Sequence, residues 1–189
     1  MKVSASIAIS IAAFCGVAAA PVGSPANVKR YSGICEPSAG ALIDAKRFAV
    51  ASDESNVIRI YERGMPAIAA SVDLKTFTGY GKSDIEGAAV RGDIVYWSAS
   101  QREDLKPHLV ELSGSSDESI NVEGLAVTPD GGLMFGFRNL VGNKAAVVTL
   151  KNVDFVLAAE NNPPEFGDTA MLDLGGRGIR SIERIGERY

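Results

Sequence analysis

Ser83-Asp84-Ile85-Glu86-Gly87-Ala88-Ala89-Val90 returns, slightly altered, as Ile120-Asn121-Val122-Glu123-Gly124-Leu125-Ala126-Val127. An earlier stretch, Gly33-Ile34-Cys35-Glu36-Pro37-Ser38-Ala39-Gly40, matches less closely. A late one, Arg177-Gly178-Ile179-Arg180-Ser181-Ile182, puts arginine where the others put glutamate. Each copy is a strand-like run with a charge near its start. Leu125-Ala126-Val127 is apolar on both faces of such a strand, which implies sheets packed on either side rather than one wet face. Gly87, Ala88, Ala89, Gly124 and Ala126 are small, which suits strands crowded around an axis. We read each copy as the innermost strand of a propeller blade.

The stretches between the copies support this reading. From Tyr31 onward, Gly, Asp, Asn, Ser and Pro punctuate short apolar runs at all-β spacing. Arg47–Ala51, Val57–Tyr61 and Ile68–Leu74 follow Glu36 as the remaining strands of a first blade. Ile94–Ser98 and His108–Leu112 follow Glu86. Leu133–Phe137, Ala145–Leu150 and Ala170–Leu174 follow Glu123. Val153–Glu160 offers one or two helical turns before Pro163-Pro164 stops them. The openings lie about 50, 37 and 57 residues apart, and blades of about 40–50 residues accommodate that with loop insertions. The expected fold is all-β: a partial β-propeller of three four-stranded blades and the start of a fourth. Closed propellers have about 4–8 blades, so the expectation is an incomplete ring, a truncated product whose edges need partners.

Residues 1–19 read as a signal peptide, with Lys2, an apolar Val3–Val17 and small residues at Ala18-Ala19-Ala20. A membrane anchor and a lipoprotein cysteine at Cys15 are the alternatives. The apolar run is shorter than the ~20 residues a span needs, and bulky Phe14 precedes Cys15. Residues 20–30 read as an extended lead-in and 31–189 as the incomplete propeller domain. The expected location is secreted or periplasmic, with no stable membrane anchor after cleavage. Removal of Cys15 leaves Cys35 as the single thiol. It is expected to be a small buried hydrophobe, because no base or positive charge sits next to it to make a nucleophile.

Composition excludes several function classes. The 189-residue chain has a net charge of −4 and no Lys/Arg block, so nucleic acid is not an expected partner. One histidine and two cysteines rule out a zinc site built from those residues. A Ser-His-Asp hydrolase would need His108 as its base, and there is no G-x-S-x-G elbow; an exposed loop histidine is the simpler reading. Gly175-Gly176-Arg177-Gly178 lacks the Lys-Ser/Thr of a phosphate loop and reads as a turn between blades. Tyr96 and Trp97 read as core between blades. Ser113–Ser119 reads as a solvated loop.

Glu86-Gly87, Glu123-Gly124-Leu125-Ala126, Gly136-Phe137-Arg138-Asn139 and Leu172–Glu183 together resemble the bacterial family catalogued as domain of unknown function 3616. The resemblance runs from about Tyr31 to Gly186. It implies a β-propeller without an established activity, here only its N-terminal part. The acidic phrase is also similar to the blade openings of calcium-dependent lactonase-like and esterase-like phytase propellers. In the former a glutamate at this place binds the metal, which implies Glu36, Glu86 and Glu123 here.

On this reading the inner-strand starts ring one mouth of the channel. Glu36, Glu86 and Glu123 converge there with Arg180, and Arg138 stands near. Carboxylates brought together raise one another's pKa unless a positive charge intervenes. Either a divalent cation, Ca²⁺ or Mg²⁺ for oxygen ligands, or Arg180 with Arg138 can supply that charge. Asp53, Asp84 and Asn121 are near enough in the pattern to add oxygens. Three functions remain open: an exported domain that binds a ligand, ion or partner at the mouth; a metal-dependent hydrolase of lactonase or phosphoesterase type; and a fragment without activity of its own.

Overall fold

The computed structural model describes residues 28–79, 81–99, 111, 121–159 and 161–189. The expected signal peptide, most of the lead-in, His108, all of the His108–Leu112 strand but Glu111, and the Ser113–Ser119 loop lie outside the described residues. The rest is mostly strand, in three antiparallel sheets.

The first sheet is a meander in chain order: β1 (Pro37–Leu42), β2 (Arg47–Ser52), β3 (Ser55–Glu62) and β4 (Ile68–Asp73). Asp44 fixes the β1–β2 turn. Its Oδ1 accepts from the amides of Lys46 and Arg47, both at 2.7 Å, and its Oδ2 pairs with Arg47. These bonds hold its carboxyl below the usual aspartate range. A single helical turn, α1 (Lys75–Thr78), ends at Gly79 with φ 72°, the left-handed cap that glycine adopts without strain. The second sheet is the hairpin of β5 (Ile85–Arg91) and β6 (Ile94–Ala99), turned at Gly92 with φ 58°. The third runs β7 (Val122–Val127), β8 (Leu133–Val141), β9 (Lys144–Leu150) and β10 (Ala170–Leu172). Between β9 and β10, α2 (Val153–Ala158) buries Val153.

The first strands of the three sheets are neighbours: β5 lies against both β1 and β7. Apolar layers fill the space between sheets. Ala49, Ala51, Ile58 and Ile85 form one, with Trp97 packed on it. Ala89, Tyr96, Leu125, Leu133, Leu150 and Val153 form the next. Tyr96 and Trp97 are adjacent on β6, so the two-residue period sends them to opposite faces and into different layers. β7 is buried at every position, as a strand with neighbours on both faces must be.

The two outer faces are covered by the chain itself. Tyr31 and Ile34 pack on Phe48, Val50 and Tyr61 of the first sheet. The Tyr31 and Phe48 rings meet edge to face at 4.9 Å, and the buried Tyr61 donates its hydroxyl to the Ser32 carbonyl at 3.0 Å. On the far side, Ile179 and Ile182 pack on the third sheet with Ala145 and Val147. Here the sequence expectation is corrected. Ile179–Ile182 is not a strand. Gly124 and Gly136 face each other across β7 and β8, and their missing side chains leave a dent that the isoleucines fill. A Cβ on Gly124 would lie 2.7 Å from Ile182 Cγ1, and one on Gly136 would lie 2.6 Å from Ile179 Cγ2. The segment is held by side chains against a sheet face, with the Ile179 amide donating to the Phe137 carbonyl at 2.9 Å.

Cys35 is a second correction. It is exposed, not buried, because it precedes β1 at a turn where Glu36 has φ 49°.

Candidate functional site

The three first strands share one irregularity. Register shifts between Pro37 and Ala39 in β1, between Ile85 and Gly87 in β5, and between Val122 and Gly124 in β7. A β-bulge leaves the residue it passes over out of the ladder and re-aims it. Those residues are Ser38, Glu86 and Glu123. All three line one cavity of about 60 Å³, together with Arg180 and Glu183. That volume holds a few waters or a small polar head group.

The glycine after each bulged glutamate has a steric reason. A Cβ on Gly87 would fall 2.6 Å from Ser98 Oγ and 2.9 Å from Leu125 Cβ. Gly87 thus lets β7 approach β5, and Gly124 lets Ile179 and Ile182 approach β7. Gly178 plays a related part: a Cβ there would collide with the Arg138 carbonyl oxygen. With the turn at Gly175 and Gly176, φ 63° and 74°, that close approach brings Arg180 to the cavity.

Glu123 is 8% exposed. Its Oε1 accepts from Arg138 Nη1 at 3.1 Å and its Oε2 from Arg180 Nη1 at 2.8 Å. One buried carboxylate thus ties β8 to the covering segment, and both its oxygens are engaged. Glu86 differs. Among the described residues no cation bonds to it, and its pKa is raised to about 7. Burial is the main cause; Asp53, Glu123 and Asp84 add repulsion, and Arg138 opposes them. Ser38 donates its hydroxyl to the Ile85 carbonyl, linking the first bulge to the second sheet.

Glu36 does not join Glu86 and Glu123. Its carboxylate gathers instead with those of Asp53 and Glu54, with ligand atoms within 4.8 Å of one another. The Glu36–Glu86–Glu123 metal triad expected from sequence is therefore not formed. The reason is a two-residue slip. Among the described residues, Glu36 at φ 49° and Asp84 at φ 45° are the non-glycine residues in the left-handed region, and each precedes its bulge by two. Glu36 is thus the counterpart of Asp84, and Ser38 of Glu86. Lys82 sits between Glu54 at 3.5 Å and Asp84 at 3.1 Å, while Asp53 Oδ1 is buried without a hydrogen bond. The Asn121 amide donates to Asn139 Oδ1 at 2.9 Å, and its carbonyl accepts from the Arg138 amide at 2.9 Å. That pairing steadies the start of β7 where Glu123 leaves the ladder.

Of the residues that sequence reasoning placed together, Glu86, Glu123 and Arg180 line one cavity and Arg138 bonds to Glu123. That reasoning missed Ser38 and Glu183. Among the described residues no helix is long and apolar enough to cross a membrane. No family model, curated protein or solved structure matches the chain.

Proposed function

We propose that the chain is a partial β-propeller, exported by its N-terminal signal peptide, whose axial mouth binds a small polar ligand. The observation that carries this is the matched bulge in β1, β5 and β7, which directs Ser38, Glu86 and Glu123 into one cavity. Side-by-side first strands with apolar layers between successive sheets support the blade arrangement. The resemblance to the domain of unknown function 3616 family belongs to the same reading and rests on its motifs.

Binding is favoured over metal catalysis because both Glu123 oxygens are held by arginines. A cation there would have to displace two charge-assisted bonds. The test is a thermal-shift screen of small polar compounds on wild type and on Glu86→Gln. A ligand of the mouth stabilises the wild type by mass action and loses that effect in the variant. Compounds that stabilise both proteins equally would refute the site.

A divalent-metal-dependent hydrolase is the second reading. What favours it is the group Glu36, Asp53 and Glu54. A Ca²⁺- or Mg²⁺-dependent rise in Tm that persists in Glu86→Gln and disappears in Asp53→Asn would support it. Absence of any rise in the folded protein would remove it.

A further inference from the structure

We propose that the cavity's ligand is a small zwitterion, a free α-amino acid, with its ammonium group on Glu86 and its carboxylate on the outer faces of Arg180 and Arg138. This rests on the reading of the mouth as a binding site and specifies its chemistry. The cavity has two poles. One is Glu86, a carboxylate that no cation among the described residues pairs with, backed by Asp53 and Asp84. The other is Arg180, which lines the cavity, with Arg138 beside it on the shared Glu123 carboxylate. Each guanidinium offers one nitrogen to Glu123 out of five N–H donors. Their side chains are 48% and 66% exposed, so donors remain on the solvent side. Glu123 holds both planes in place before any ligand arrives, which lowers the ordering cost of binding. A carboxylate is what such a fixed guanidinium fork accepts, through two parallel bonds.

Ligands with one charge are disfavoured. An ammonium alone would satisfy Glu86 and face two guanidiniums. A carboxylate alone would meet the arginines and be repelled by Glu86, Asp53, Asp84 and Glu183. A zwitterion carries both charges on adjacent carbons and adds no net charge to the site. The cavity's small volume admits the head group and leaves an amino-acid side chain at the opening.

Protonation gives the assignment a pH dependence. Glu86 must be ionised to hold an ammonium group, so binding strengthens as pH rises through about 7. The charged groups around it are Asp53 from the β2–β3 turn, Lys82 and Asp84 ahead of β5, Glu123 from β7, Arg138 from β8, and Arg180 and Glu183 from the covering segment.

The experiment is calorimetric titration of the full chain with L-alanine, methylammonium, acetate and CaCl₂ separately, at pH 6 and pH 8. The expected result is that alanine binds at least tenfold more tightly than methylammonium or acetate. Its affinity should rise about tenfold from pH 6 to pH 8, following the ionised fraction of a group titrating near 7. Glu86→Gln and Arg180→Ala should each weaken it tenfold or more. Arg180→Lys keeps the charge without the fork, and should also weaken alanine if Arg180→Ala fails to fold. Methylammonium, acetate or Ca²⁺ binding as tightly as alanine, and depending on Glu86, would overturn the zwitterion and leave the binding mouth standing. No heat from any probe would overturn both.

Discussion

Replacing Glu86 by glutamine should stabilise the protein at pH 8 and leave it nearly unchanged at pH 4.5. Burial and the nearby carboxylates raise the Glu86 pKa from 4.5 to about 7. The folded state therefore holds this proton more tightly than the unfolded chain does. The resulting stability is fully present below the unfolded value and is lost as pH rises through about 7, so above that the ionised Glu86 is a burden on the fold. A displacement of this size corresponds to about 3 kcal/mol at most. Glu86 is only half-buried, and screening by solvent brings the expected figure to about 1–2 kcal/mol. For a chain of this length, that shifts Tm by about 3–6 °C. Glutamine keeps the shape and removes the charge. Thermal melts of both proteins from pH 4.5 to 8.5 should nearly coincide at the acid end, diverge progressively between about pH 5 and 7 and run parallel above that, with the variant higher. Comparing the two cancels the carboxylates that do not interact with Glu86. A constant gap across the range, or a variant that melts lower at pH 8, would refute the reasoning. Either result would mean that Arg138 already compensates the Glu86 charge.

The arginine pair should behave cooperatively. Arg138→Ala and Arg180→Ala each leave Glu123 one partner and should cost about 1 kcal/mol apiece. The double variant strands a buried carboxylate and should cost about 3–5 kcal/mol; a double-mutant cycle from urea melts measures the excess. Gly124→Ala should lose about 1–3 kcal/mol because its Cβ meets Ile182 and Ile179. Gly40→Ala, whose Cβ meets the Ala49 carbonyl at an ordinary 3.7 Å, should stay within about 0.5 kcal/mol in the same melts. Tyr61→Phe removes the bond to the Ser32 carbonyl. It should cost about 1 kcal/mol and increase proteolytic cutting ahead of β1.

Strand positions were legible because the relevant information is local. Arg47–Ala51, Val57–Tyr61, Ile94–Ser98 and Ala145–Leu150 are apolar runs bounded by turn residues, and each falls within an observed strand. The same local reading failed at Ile179–Ile182. Its sequence resembles the other copies, but what decides its conformation lies elsewhere: two glycines on different strands, Gly124 and Gly136, face each other only once β7 and β8 pair. No window along the chain contains both that dent and the isoleucines that fill it. Cys35 failed for a related reason. Its exposure follows from the left-handed turn at Glu36, and a glutamate carries no sequence signal for that conformation.

At the cavity the error had a chemical consequence. Matching the copies by their acidic letter aligns Glu36 with Glu86. Matching them by the small residues that follow aligns Ala39-Gly40-Ala41 with Gly87-Ala88-Ala89, and the bulges agree with the second alignment. The first alignment yields three carboxylates around one point, which could coexist only with a bound cation, with arginines close by, or with protons retained near neutrality. The second yields a hydroxyl, two carboxylates and a guanidinium: Ser38, Glu86, Glu123 and Arg180. In that set one carboxylate is neutralised by arginines within the protein and one is not. Glu123 is thus neutralised by side chains of the protein itself, and of the two bulged carboxylates only Glu86 has no cation bonded to it among the described residues. That arrangement is what the zwitterion we propose would meet: one acid unpaired among the described residues, beside two guanidiniums anchored on Glu123.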